Sequence, residues 1–264
     1  MGGGRMSSKK HFVISDTQCK PGINLDYMEA IGKYIVAKRP DVVIHIGDHF
    51  DLASLSSYDK GKRSSEGRRY SEDVQVGREG LDRLFKPLWE LQERQRANRK
   101  KVYQPRLIFT LGNHEERADR AANDNPELYG TVGSEELGIQ DYGFEVVPFL
   151  KPIEVDGIYY VHYLQNHFTG KPLGGTANNM LKAAGHSFVM GHRQLLDWAI
   201  HPTIDGKQRL GIVTGACYPH DEAYKGYQGN NHFRGCVMIH EVKDGFGLPM
   251  PVSLDFMMEK GGFK

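Results

Sequence analysis

Short apolar runs recur along the chain, and each ends in a polar cluster: His11–Ser15, Val42–Ile46, Leu107–Leu111, Tyr159–Val161 and Phe188–Met190. They are rich in Val, Ile, Phe and Tyr and of strand length, which predicts buried strands. Between the first two, apolar residues at Leu25, Met28, Ile31 and Ile35 follow a helical period, with Asn24 as cap and Pro40 just past the end. This predicts a βαβ unit and a parallel strand pair. From Ser71 to about Lys101 the pattern is again helical, with Val74, Leu81, Leu84, Phe85, Leu88 and Leu91 on one face. Gly77, Gly80 and Pro87 weaken the pattern and leave both a continuous and a broken helix open. Further strands are expected over Arg209–Gly215, Gly235–Val242 and Val252–Met257, joined by Gly-rich turns. The pattern predicts an α/β fold of two packed, mostly mixed sheets flanked by helices.

A length of 264 residues is enough for one domain with a sizeable core. Residues 1–10 carry no apolar stretch and read as a flexible tail, leaving 11–264 as a single domain with a basic helical insertion at about 52–105. The formal charge is +1, so net charge alone does not mark a nucleic-acid binder, and binding of that kind needs a local patch. No apolar run reaches bilayer-spanning length, which predicts no membrane partner. Cys19, Cys217 and Cys236 are scattered and odd in number, which speaks against a disulfide framework or thiolate zinc site and for a cytoplasmic protein.

Chemistry enters at the ends of the apolar runs. Four of them terminate in Asp16-Thr17-Gln18, Gly47-Asp48-His49-Phe50-Asp51, Gly112-Asn113-His114-Glu115 and Gly191-His192-Arg193-Gln194, and a fifth contains His162. Functional groups in α/β folds gather at carboxyl ends of strands, so oxygen and imidazole donors from five strand ends can meet in one crevice.

In that order the motifs resemble the signature of the calcineurin-like metallophosphoesterases: Asp-x-His, Gly-Asp-x-x-Asp, Gly-Asn-His-(Asp/Glu), His, Gly-His-x-His. The resemblance runs from about residue 11 to 194, and the chain also resembles bacteriophage-encoded phosphoesterases. It implies a four-layer αββα sandwich and two divalent metal ions. Asp48 would bridge them, Asn113, His162 and His192 would complete the second site, and Asp16 would hold the first. It further implies that His114 serves the leaving oxygen and that Asp51 orients that imidazole. Two metals about 3.5–4 Å apart can clamp a phosphate and generate a nucleophilic water.

The chain departs from the pattern at Gln18 and Gln194, which stand where histidines are expected on the first metal. An all-oxygen shell suits Mn²⁺, Mg²⁺ or Ca²⁺ better than zinc and predicts a weak first site, with Mn²⁺ the expected ion and Mg²⁺, Zn²⁺, Fe²⁺ or Ni²⁺ as alternatives. A rival reading leaves the first site rarely filled, with both glutamines only hydrogen-bonding.

Beyond the motifs, His49, Arg117 and Tyr218 are candidate substrate contacts. Arg117 can grip phosphate or pair with neighbouring acids. The segment from Tyr218 to Tyr227 can stack bases or form a plain surface loop. The basic runs Lys60–Arg69 and Arg94–Lys101 read as a positive rim or as solvated helix faces. The expected activity is hydrolysis of a phosphodiester in a nucleotide or nucleic acid. A phosphomonoesterase and a non-catalytic binding protein with a decayed first site are the alternatives.

Overall fold

The computed structural model describes residues 8–57, 61, 63–222 and 225–263. Most of the expected tail (residues 1–7), Lys60 and Lys62 of the basic run, and Tyr224 of the aromatic segment lie outside the described residues. Along the chain come β1 (Lys9–Ile14), α1 (Asp26–Lys38), β2 (Val42–His45), α2 (Tyr70–Ala97), β3 (Arg106–Thr110), α3 (Glu116–Asp124) and β4 (Glu145–Val147). Then follow β5 (Ile153–Val155), β6 (Ile158–Tyr160), α4 (Ala177–Ala184), β7 (Phe188–Met190), β8 (Leu196–Pro202) and β9 (Gln208–Thr214). The chain closes with α5 (Gly226–Gly229), β10 (Gly235–Lys243), β11 (Phe246–Ser253) and α6 (Leu254–Gly261).

The strands form a six-stranded sheet in the order β11-β10-β1-β2-β3-β4 and a five-stranded sheet in the order β5-β6-β7-β9-β8. β1 through β4 run parallel, as do β6, β7 and β9, and the remaining pairings are antiparallel, so both sheets are mixed. Alternation along each strand assigns the layers. Val13, Ile44 and Ile108 join Val189, Leu210 and Ile212 in a core between the sheets. Their neighbours Phe12, Ile14, Val43 and Phe109 pack outward against α1, α2 and α6. On the other sheet Phe188, Met190 and Val213 pack against α4. The result is the four-layer αββα arrangement, and it puts the carboxyl ends of β1, β2 and β3 beside those of β6 and β7.

α2 is one continuous helix, which decides the alternative that the sequence left open. A Cβ on Gly77 would stand 2.0 Å from the Phe50 ring, and one on Gly80 2.6 Å from Cys19 Sγ. These glycines admit close neighbours instead of ending the helix. Gly32 of α1 does the same for the Leu84 carbonyl beside Pro87, which draws α1 and α2 together. The expected strand over Val252–Met257 is corrected: β11 ends at Ser253, whose side chain caps α6 by accepting from the Phe256 amide. β1 begins at Lys9, inside the expected tail. Among the described residues, no helix is long and apolar enough to cross a membrane.

Candidate metal centre

Three parallel strands of one sheet deliver Asp16, Asp48 and Asn113 to a common edge, and two of the other deliver His162 and His192. The loops are laced by backbone bonds: Gln18 N donates to Asp48 O (2.9 Å) and Cys217 N to Asp16 O (2.7 Å). Asp48, His192, Gln18 and Gln194 all take positive φ, the tight-turn geometry that points their side chains off the strand ends. Gly112 and Gly191 permit the approach, since a Cβ on either would lie 2.2 Å from Asp48 Oδ1 or 2.5 Å from Asp16 Oδ1.

Asp48, His162 and His192 each offer a ligand atom, and these atoms all lie within 4.8 Å of one another. Asn113 Oδ1 sits among them, 3.0 Å from His162 Nε2 and 2.7 Å from His192 Nδ1. His162 Nδ1 lies 2.8 Å from the Ile46 carbonyl oxygen, so it carries a proton. That contact fixes the ring and turns Nε2 toward the carboxylate and amide oxygens, as a partner to the distal nitrogen does for metal-binding histidines. Two imidazoles with two oxygens suit a transition metal once a proton leaves the imidazole.

The charges respond accordingly. Burial opposes the Asp48 charge, but His114 and His162 outweigh it and hold this carboxyl well below the usual range. Burial likewise disfavours protonated His162, yet the Asp48 charge and hydrogen bond push its pKa up to about 9. Burial and charged His162 press His192 down to about 4, which keeps it neutral.

A second set of donors lies beside Asp48. Asp16 Oδ1 accepts from the His192 amide (3.2 Å), while its Oδ2 is buried without a hydrogen-bond partner. Both amide atoms of buried Gln18 are also unpartnered. Burial and the neighbouring Asp48 raise the Asp16 carboxyl to about 7. Orphaned buried oxygens are expensive, and these three residues fit a hard, oxygen-preferring cation. Gln194 is engaged elsewhere: its Oε1 accepts from the Tyr218 hydroxyl at 2.9 Å.

His114 stands between the donors and solvent. Its Nδ1 lies 3.1 Å from Asp51 Oδ1 and 2.9 Å from Asp51 O, and its Nε2 is 3.7 Å from Asp48 Oδ2. Burial opposes its protonation, but Asp48 and Asp51 together raise its pKa. Arg117 Nη1 donates to Asp51 O (2.7 Å) and Nη2 lies 3.0 Å from His114 Nε2, so this guanidinium packs on the His114–Asp51 pair instead of pairing with a nearby acid.

Two expected substrate contacts sit behind the site. His49 is fully buried, with Nδ1 2.8 Å from Thr17 Oγ1 and Nε2 2.8 Å from Gly77 O. The Tyr218 ring is fully buried and stacked on His220, so it has no free face for a base. The residue that sequence reasoning missed is Glu115. Its buried carboxylate accepts from the amides of Asp48 (3.0 Å), His49 (2.8 Å), Phe50 (3.0 Å) and Gly112 (2.8 Å), pinning two ligand loops together. The one signal was its place directly after Asn113-His114.

A cavity of about 920 Å³ opens over the site, lined by Asp48, Asn113, His114 and His192 and, farther out, by Lys20, Arg68, Arg69, Arg193 and Lys225. Lys20 is paired with Glu222 (2.7 Å). The expected positive rim is divided: Arg68 and Arg69 line the cavity. Arg94–Lys101 lies more than six helical turns along α2, roughly 36 Å away at 1.5 Å per residue.

The sequence profile of the family described as calcineurin-like phosphoesterase matches residues 10–222. The chain is 28% identical over 190 residues to the Gene 54 protein of Mycobacterium phage L5, covering 70% of this chain and 69% of that protein. The Gene 54 protein of Mycobacterium phage D29 is 27% identical over the same coverage. Among solved structures, a Streptococcus pneumoniae TIGR4 protein described as a predicted phosphoesterase aligns over 94% of this chain and 99% of its own, with TM-score 0.34 and 13% identity. The protein TT1561 of Thermus thermophilus aligns over 94% and 100%, with TM-score 0.35 and 8% identity.

Proposed function

Since the chain belongs to the calcineurin-like phosphoesterase family and is a metal-dependent hydrolase of phosphate esters, we propose that it cleaves a phosphodiester in a nucleotide or nucleic acid. The observation that carries this reading is the cavity of about 920 Å³, which extends from Asn113 and His192 out to Arg68 and Arg69. A phosphoryl group fills little of it, so there is room for substituents on both sides of the phosphorus.

Asp48, Asn113, His162 and His192 would hold one dication, and Asp16, Gln18 and Asp48 would hold another more weakly, Mn²⁺ being the ion that suits both donor sets. When bound, two such ions neutralise phosphoryl charge and lower the pKa of an attacking water. His114 faces the leaving oxygen and supplies a proton or a hydrogen bond as that bond breaks, while Asp51 and Arg117 fix its ring. Retention of this braced pair supports catalysis over a purely binding role. Three unpaired, buried thiols support a reducing cytoplasmic setting.

The test is hydrolysis of bis-p-nitrophenyl phosphate against p-nitrophenyl phosphate by metal-stripped protein with Mn²⁺ restored. Faster diester cleavage, lost in His114→Ala, supports the reading. Faster monoester cleavage transfers the assignment to a phosphomonoesterase.

A further inference from the structure

Gln194 lies on the wall of the cavity, and what holds its side chain decides what it presents there. Lys225 Nζ donates to the Tyr218 oxygen at 2.8 Å, and Tyr218 stands 2.9 Å from the Gln194 amide. An ammonium group has donors and no acceptor. The tyrosine oxygen therefore receives from Lys225, and its single proton points to Gln194. The Gln194 atom facing Tyr218 must then be the carbonyl oxygen, which settles an amide orientation that is otherwise ambiguous. With that oxygen turned back toward the buried Tyr218, the group left for the cavity is the NH₂, which can only donate. The cavity wall beside it is made by Asp48, Asn113, His192 and Arg193.

We propose that Lys225, Tyr218 and Gln194 form a hydrogen-bonded relay that presents the Gln194 amide N–H to a non-bridging phosphate oxygen, making Gln194 a substrate-positioning residue and not a metal ligand. The proposal rests on the phosphoesterase reading for its ligand, a tetrahedral phosphate. The chain of donors polarises in one direction: the ammonium draws on the phenol oxygen, the phenol proton on the amide oxygen, and the amide NH₂ becomes a better donor. A metal ligand needs a lone pair, and one of the two on Gln194 Oε1 is already taken by the Tyr218 hydroxyl. A phosphate oxygen needs a donor. Tyr218 acts through Gln194 and never touches the substrate, which is consistent with its complete burial.

The test uses the Mn²⁺-loaded full chain with inorganic phosphate as probe, followed by titration calorimetry, alongside metal content and the KM and kcat for bis-p-nitrophenyl phosphate. Gln194→Ala is expected to weaken phosphate binding about tenfold, the loss of one hydrogen bond to a charged group. KM should rise by a similar factor with metal content unchanged. Tyr218→Phe removes one buried hydroxyl, keeps the ring, and is expected to weaken phosphate about threefold, again without metal loss, in protein whose melting shows it folded. Loss of a metal ion in Gln194→Ala overturns the proposal in favour of a ligand role. Unchanged phosphate affinity in folded Tyr218→Phe overturns the relay. Because phosphate binding is read directly, these outcomes are separate from a failure of the wild type to cleave the diester.

Discussion

His162 Nε2 lies 3.4 Å from Asp48 Oδ2, although the two residues come from different sheets. Without a metal, a proton on the imidazole balances the carboxylate, and the Asp48 charge lifts the His162 pKa to about 9 despite burial. A metal must displace that proton, so binding at this site releases about one proton at pH 7.5 and its affinity rises with pH up to about 9. Calorimetric titration of Mn²⁺ in two buffers of different ionisation enthalpy measures the release. A proton count near zero contradicts the account.

Glu115 takes four backbone amides onto one buried carboxylate. Glu115→Ala leaves them without an acceptor, and each unsatisfied buried donor costs on the order of 1–3 kcal/mol. Allowing for water entry and relaxation, the variant should lose about 3 kcal/mol or more in urea denaturation and bind metal more weakly, because the Asp48 and Asn113 loops are no longer tied. Stability within about 0.5 kcal/mol of wild type, the range of an ordinary surface change, would exclude the clamp.

Acid should destabilise the protein through His11. Burial lowers its pKa, against the pull of Asp156, and its ring lies between Tyr160 OH (2.7 Å) and Asp156 Oδ2 (3.0 Å). Below about pH 6.5 the unfolded histidine takes up a proton that the folded one refuses, so stability falls as pH falls. The cost is about 1.4 kcal/mol per pH unit until the folded pKa is reached. His45, held well below its usual range by burial, adds the same sign. His114 and His162 oppose it: their raised pKa values stabilise fully below about pH 6.5, and that contribution fades as pH rises through their folded values. Comparing metal-free wild type with His11→Gln between pH 7 and 5 isolates the His11 part as a shallower slope in the variant. Equal slopes would remove His11 from the explanation.

Most of the scaffold was legible because buried strands leave continuous apolar runs, and Phe188–Met190 coincides with β7 residue for residue. The candidate ligands Asp16, Asp48, Asn113, His162 and His192 stood out in the sequence because each follows such a run within two residues. β8 left no such trace: as an edge strand with one half-exposed face it mixes Trp198 and Ile200 with Asp197 and His201. The unbroken course of α2 was hidden because Gly77, Gly80 and Pro87 lower helix propensity locally, while their value lies in contacts with Phe50, Cys19 and α1 that only the tertiary fold creates. Glu115 and Tyr218 show the same limit within the site. Their residue types are visible in sequence, but whether a carboxylate meets backbone amides or a ring meets solvent depends on how distant loops pack.

The proposed cation sites are unequal and share Asp48, one with His162, His192 and Asn113, the other with oxygen donors from Asp16 and Gln18. Equilibrium dialysis of metal-stripped protein against Mn²⁺ and Zn²⁺, repeated with His192→Ala and Gln18→Ala, measures this directly. The account predicts two unequal Mn²⁺ binding steps. His192→Ala removes the tighter and Gln18→Ala weakens only the other, and Zn²⁺ fills the tighter site alone at limiting concentration. Two equal steps, or a Gln18→Ala protein that loses the tighter ion, would contradict it.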